Sequence, residues 1–224
     1  MIGKGKIEAV VFDVDGTLYP NYKMYLTSIA FFIIHPVIAS AFNRMRKKVR
    51  KIDHIDNFRK MQAGMLAQEM GIAEDKAAFL LEKYIYGQLI SMFRWIKPYK
   101  ILDEILIDLR KNDIKLGIIS DFPVEEKLSY LGLDKYWDEV FSADDIGMLK
   151  PRPDVFRMMA RQLDIKPEKI IYVGNHYLYD IIGANNAGMR SAHFSRFRKK
   201  NSVADYTFFN YRKFRKYILD SVKS

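Results

Sequence analysis

Cysteine is absent from this 224-residue chain. That excludes a disulfide frame and thiolate chemistry, and it favours the cytoplasm. A secretory leader is not expected either. Met1-Ile2-Gly3-Lys4-Gly5-Lys6 runs straight into a strand, with no apolar segment and cleavage site of that kind. Histidine is scarce, and His35, His54 and His193 form no ligand cluster, so no chemistry is assigned to them. No nucleic-acid-binding motif is present. Only one long uncharged run exists, Met24 to Asn43, if His35 is neutral.

What the chain has is apolar bulk and positive charge. Hydrophobic residues make up 49%, enough for one large domain or a core with a smaller insert. The formal charge is +10, much of it in two patches. One spans Arg44-Met45-Arg46-Lys47-Lys48-Val49-Arg50-Lys51. The other is Arg196-Phe197-Arg198-Lys199-Lys200, with Arg212, Lys213, Arg215 and Lys216 beyond it. Such patches are solvated faces, or they attract a phosphorylated substrate, an acidic membrane or nucleic acid.

The most informative stretch is Asp13-Val14-Asp15-Gly16-Thr17, at the end of the apolar run Val10-Val11-Phe12. If strand geometry persists, Asp13 and Asp15 project to one side. Two close carboxylates repel, and the pair is tolerable only with a cation, a shared proton or strong hydrogen bonds. One is then a candidate nucleophile and the other a candidate acid/base. The plainer alternative is an Asp-Gly turn with both acids solvated.

Short apolar runs alternate with helical periods, which predicts an α/β fold with a parallel sheet covered by helices. Strands are expected at 7–13, 114–120, 139–142, 170–174 and 190–194, with a short one at 205–208. Helices are expected near 99–111, 123–131, 153–163 and 178–187, with Pro98, Pro123 and Pro153 in first turns and Gly132 and Gly188 at ends. Residues 20–97 break the alternation and read as three or four helices.

Asp13-Val14-Asp15-Gly16-Thr17-Leu18 resembles the first motif of the haloacid dehalogenase-like (HAD) phosphohydrolases. Three further motifs follow in order. Ile118-Ile119-Ser120-Asp121 is similar to the second, and Lys150-Pro151-Arg152-Pro153 to the third. Val173-Gly174-Asn175-His176-Tyr177-Leu178-Tyr179-Asp180 is similar to the fourth, and Gly183 to Met189 matches the helix and turn after it. The resemblance covers 7–20 and 98–195. It implies a three-layer, doubly wound, Rossmann-like core at 1–20 and 98–224, with an α-helical cap inserted at 21–97 that excludes water and selects substrate.

The same resemblance implies the chemistry, a magnesium-dependent phosphomonoester hydrolase acting on a small organic phosphate. Asp13 is the expected nucleophile, forming an aspartyl-phosphate. Asp15 is the expected acid/base, held by a hydrogen bond from Thr17. Dehalogenases of the family typically lack this second acid. Ser120 donates to phosphate, with Thr17 and Asp121 in the same substrate-binding group. Lys150 neutralises phosphate charge and steadies Asp13. Mg²⁺ is expected on Asp13, the Asp15 carbonyl and the fourth motif. There the first acid is replaced by Asn175, which keeps an oxygen but loses a charge, so weaker metal binding is expected. Asp180 ligates directly or through water, or else serves a helix N-terminus. His176 contacts phosphate or plays a local structural role.

The run from Met24 to Asn43 with Arg44 behind it imitates a membrane span. A single crossing would separate Asp13 from Ser120, Lys150 and Asn175, so 25–42 is read as two cap helices. Peripheral membrane contact or homodimerisation through this apolar surface stays open. So do a phosphomutase and a weakly active or inactive binding module. Met24, Phe31, Phe32, Met92, Phe93 and Trp95 line a pocket or simply pack, and no substrate is chosen.

Overall fold

A computed structural model describes residues 6–52 and 55–223. Met1 to Gly5 and His54 therefore lie outside the described residues. In chain order the elements are β1 (Ala9–Phe12), α1 (Asn21–Ile34), α2 (Pro36–Val49), α3 (Phe58–Met70), α4 (Glu74–Leu80), α5 (Leu102–Lys111), β2 (Lys115–Ser120), α6 (Glu125–Leu131), β3 (Glu139–Ser142), α7 (Ala143–Ile146), α8 (Pro153–Leu163), β4 (Ile170–Gly174), α9 (Gly183–Asn186), β5 (Arg190–Phe194), β6 (Tyr206–Phe208) and α10 (Tyr211–Lys223).

The six strands form one parallel sheet in the order β3-β2-β1-β4-β5-β6. Strand alternation divides the core. Val10, Phe12, Ile118 and Val173 pack on one face against α5, α6 and α10. Ala9, Val11, Ile119 and Tyr172 pack on the other against α8. Helices cover both faces, giving the three-layer, doubly wound architecture expected. The order reverses at β1, where chains leave toward β2 on one side and β4 on the other. Ligand crevices of open α/β sheets form at the carboxyl ends of strands at such a point.

Between β1 and β2 the described residues hold helices and no strand. They have their own apolar cluster, centred on Phe31, Phe42, Met45, Leu66 and Leu81, which also takes in Ala143 and Leu149. Wide π-helical turns continue α4 over Leu81–Leu89, and similar turns occupy Tyr177–Ile182 before α9. The single helix expected at 178–187 is therefore two segments. The 25–42 run is indeed two helices, broken at Pro36 and bent by 114°. Among the described residues no single helix is long and apolar enough to cross a membrane, and this bent pair is the one candidate.

Two helix starts differ from expectation. Pro153 opens α8, but Pro98 and Pro123 sit in the loops before α5 and α6. The amide-free proline fits a first turn, yet here Leu102 and Glu125 begin the helices.

Candidate active site

β1 ends at Phe12, so Asp13 and Asp15 lie beyond the strand. The expectation that strand alternation aims them is corrected: a tight turn does so instead. Thr17 and Leu18 amides both return to the Val14 carbonyl, at 3.1 and 3.0 Å. Gly16 makes this possible at φ +80, and a Cβ there would meet the side chains of Asn175 and Asn21 at 2.1 Å. The turn brings Thr17 back over Asp13. Its hydroxyl donates to Asp13 Oδ2 at 2.7 Å, so the expected Thr17 to Asp15 bond is corrected as well.

Lys150 anchors the other side of Asp13. Its ammonium donates to Asp13 Oδ1 and Asp180 Oδ1, both at 2.7 Å, and to the Tyr172 hydroxyl at 3.0 Å. All four side chains are buried. A buried ammonium survives only with strong partners. Burial disfavours its charge, but Asp13 and Asp180 outweigh that and hold it well above the usual lysine value. Burial, opposed by Lys150 and reinforced by Asp180 and Asp15, pushes Asp13 up to about 7.

Asp15 is held by two groups that sequence reasoning missed. Tyr19 donates to its Oδ1 at 2.7 Å. Lys127, from α6, lies 2.9 Å from both oxygens. Burial and Asp15 push the Tyr19 phenol well up, so it stays a neutral donor. Lys127 is itself buried, 4.6 Å from the Phe93 ring centroid and 5.0 Å from that of Phe122. A signal for it existed: it falls on the buried stripe Val124, Leu128 and Leu131, where a charge is out of place.

Ser120 ends β2, buried, and its Oγ accepts from the Phe122 amide at 3.1 Å. Asp121 stands at the same edge, but its carboxylate is committed elsewhere. Oδ1 accepts from the Lys150 amide at 3.0 Å, and Oδ2 pairs with Arg50 at 2.6 Å. Burial raises Asp121, but Lys150, Arg50 and Arg46 outweigh it and hold the carboxyl below its ordinary value. Arg46 also donates to the Asp121 carbonyl at 2.7 Å. These two arginines, four apart at the end of α2, tie the helical segment to the sheet edge.

Asn175 follows β4, and its Nδ2 donates to the Asp15 carbonyl at 3.1 Å. Asp180 is close because Gly174 has no side chain; a Cβ would meet the Asp180 carboxyl group at 2.5 Å. Its Oδ2 accepts from the His176 amide at 2.8 Å and its Oδ1 from Lys150. Both oxygens are thus engaged within the protein, and Asp180 anchors Lys150. His176 accepts from the Tyr179 amide and stacks on that ring at 4.0 Å, a local role.

Among the described residues no three His, Cys, Asp or Glu side chains are grouped to hold a metal. Oxygens that suit a hard cation are nonetheless grouped here: Asp13, the Asp15 carbonyl, Asp180, and the Asn175 amide, which presents oxygen after a half-turn.

Residues 10–194 match the model of the haloacid dehalogenase-like hydrolase family. A glyceraldehyde 3-phosphate phosphatase of Methanopyrus kandleri is 32% identical over 82% of each chain. A pyrophosphatase, PpaX, of Bacillus cereus is 28% identical over 84% of this chain and 82% of its own. The HAD-hydrolase YfnB of Bacillus subtilis, solved bound to magnesium, superposes with a TM-score of 0.71 over 96% of this chain and 100% of its own, at 15% identity. That last likeness is one of fold. The chain belongs to the haloacid dehalogenase-like hydrolases. Within the family it stands with the phosphatases, the class of its named relatives.

Proposed function

We propose that the chain hydrolyses phosphate monoesters through an aspartyl-phosphate on Asp13. One observation carries this reading: the buried Lys150 ammonium holds Asp13 at 2.7 Å while a second acid, Asp15, is fixed separately by Tyr19 and Lys127. A nucleophile and an acid/base in separate environments are what phosphoryl transfer from an alcohol requires.

In the first step an Asp13 oxygen attacks phosphorus and the bond to the ester oxygen breaks. Asp15 gives its proton to that oxygen, releasing the alcohol. The carboxylate this leaves is met by Lys127 at 2.9 Å. In the second step water attacks phosphorus and passes its proton to Asp15, and Asp13 is freed with inorganic phosphate. Lys150 stands beside Asp13 to offset the charge of the phosphoryl oxygens. Asp13, the Asp15 carbonyl and Asn175 are the groups that would hold Mg²⁺, which when bound neutralises phosphoryl charge. The helical segment between β1 and β2 serves as the cap, tied to the site through Arg46 and Arg50.

Phosphate release from p-nitrophenyl phosphate across a magnesium titration tests the reading. The expected result is saturable, magnesium-dependent release that Asp13→Asn abolishes, a loss of about 10³-fold or more given what a positioned nucleophile contributes. Turnover retained in Asp13→Asn would overturn the mechanism.

A further inference from the structure

A cavity of about 350 Å³ lies between α1, α2 and the sheet edge, with Asp15 and Lys127 in its lining. That is within the range of small-molecule sites, about 300–1,000 Å³. The rest of the wall is apolar, built mainly by Met24, Phe31, Phe42, Ile90, Phe93 and Phe122. Its few inner polar groups are already engaged. Thr27 and Ser28 hydroxyls both donate to the Met24 carbonyl, and Lys127 is bound to Asp15. Tyr25 and Asn43 are exposed to solvent.

The cavity adjoins the acid that protonates the leaving oxygen, so it is where the alcohol half of an ester must sit. A triose or sugar would bring hydroxyls against walls that are mostly carbon, which costs affinity. A hydrocarbon chain would not.

α1 carries the same chemistry outward. Tyr22, Leu26, Ile29 and Ile33 repeat at spacings of one turn, and are 60, 65, 55 and 72% exposed. The buried residues of this helix are only Ser28 and Phe31. A helix that served stability alone would bury its apolar stripe; this one turns it to solvent beside the cavity, and Tyr25 and Phe32 belong to both.

We propose that the site takes phosphomonoesters of aliphatic alcohols, with the phosphate at Asp13 and the alkyl chain in this cavity. This rests on the phosphatase reading above, and goes beyond the polar substrates in the relatives' names.

The test is kcat/KM for a series of n-alkyl phosphates of increasing length, kept below micelle formation, beside glyceraldehyde 3-phosphate and pyrophosphate, with p-nitrophenyl phosphate as reference. The expected result is a rise of up to about fourfold per methylene, the equivalent of about 0.8 kcal/mol for each buried CH₂, until the cavity is full. Phe32→Gln, in a half-exposed wall position, should flatten that slope while its melting temperature stays near that of the parent. A flat or falling series with p-nitrophenyl phosphate still hydrolysed would overturn the substrate class and leave the phosphatase reading intact. Calorimetric binding of octyl phosphate to Asp13→Asn separates the two further: affinity that grows with chain length, without turnover in the parent protein, would sink the mechanism and support the pocket assignment. Phosphatidylcholine vesicles doped with phosphatidate distinguish the sources. Turnover there supports a lipid headgroup as substrate, and turnover of soluble esters alone supports a free amphiphile.

Discussion

Removing the ammonium of Lys127 would leave Asp15 with one partner, the Tyr19 hydroxyl at 2.7 Å. The carboxyl would then be free to swing, and misplacing a reacting group by about 1 Å can cost about 10²-fold. Lys127→Met, which keeps the aliphatic stem against Phe93 and Phe122, is therefore expected to lower kcat about that much for alkyl phosphates. The loss should shrink for p-nitrophenyl phosphate, whose leaving oxygen needs no proton. Steady-state kinetics on both esters checks this; equal losses would mean that Lys127 does not act through the acid. The pair also marks a limit of sequence reading. Asp13, Asp15 and Asn175 were legible because each lies in a short motif at a strand end, and Lys150 because it opens the Lys-Pro-Arg-Pro loop before α8. Lys127 is 112 residues from Asp15, and Tyr172 is an ordinary strand residue until the fold sets it 3.0 Å from Lys150. Thr17 failed for a different reason. The resemblance implies a bond to Asp15, and the Gly16 turn sets the Thr17 hydroxyl on Asp13 instead.

The end of α2 behaves as a bolt between the helical segment and the sheet. Arg50 pairs with Asp121 at 2.6 Å, donates to the Lys150 carbonyl at 2.5 Å and lies 4.0 Å from the Tyr179 ring centroid. Both charged groups are largely buried, so breaking the pair strands Asp121, and Arg50→Met should cost about 3 kcal/mol in urea unfolding near pH 7. The pH dependence has a definite sign. Asp121 is held below its ordinary value of 3.8. Its pairing stabilises the fold above that value and is lost as pH falls through the lower, folded value. The gap between parent and Arg50→Met should therefore narrow as pH falls below about 4; a constant gap would place the effect elsewhere. At this scale α10 escaped the sequence pattern, but the strands, three to six residues long with flanking turns, and α5, α6 and α8 were legible from period. The arginines were not. They were visible as a basic patch, and only packing distinguishes Arg46 and Arg50, turned inward, from Lys47 and Lys48, turned out.

Across the whole molecule, part of the charge of +10 lies where it can act on a substrate dianion. The second basic patch lies on the loop after β5, which leaves the carboxyl edge of the sheet, the edge that bears Asp13 and Asn175. Arg196, Arg198, Lys199 and Lys200 are exposed there. The loop is tied toward the site: the Val203 amide donates to the Tyr177 hydroxyl at 3.0 Å, and Lys199 lies 4.7 Å from the Tyr177 ring centroid. Exposed charges contribute little to stability, but a patch of one sign beside a cleft raises encounter rates. Replacing Arg196, Arg198, Lys199 and Lys200 by glutamine should lower kcat/KM for a phosphate monoester about tenfold, the lower end of the range of about 10–10³ known for steering. The change should fall on KM, with kcat and melting temperature close to the parent's. It should also fade with salt, since screening reaches about 8 Å at 0.15 M and about 3 Å at 1 M. Stopped-flow or steady-state rates across an ionic-strength series decide the matter. A parent protein whose kcat/KM is insensitive to salt, or a quadruple variant with an unchanged slope, would reduce the patch to a solvated loop. Lines that converge at high salt, the parent's being the steeper, would show that this patch draws phosphate toward Asp13.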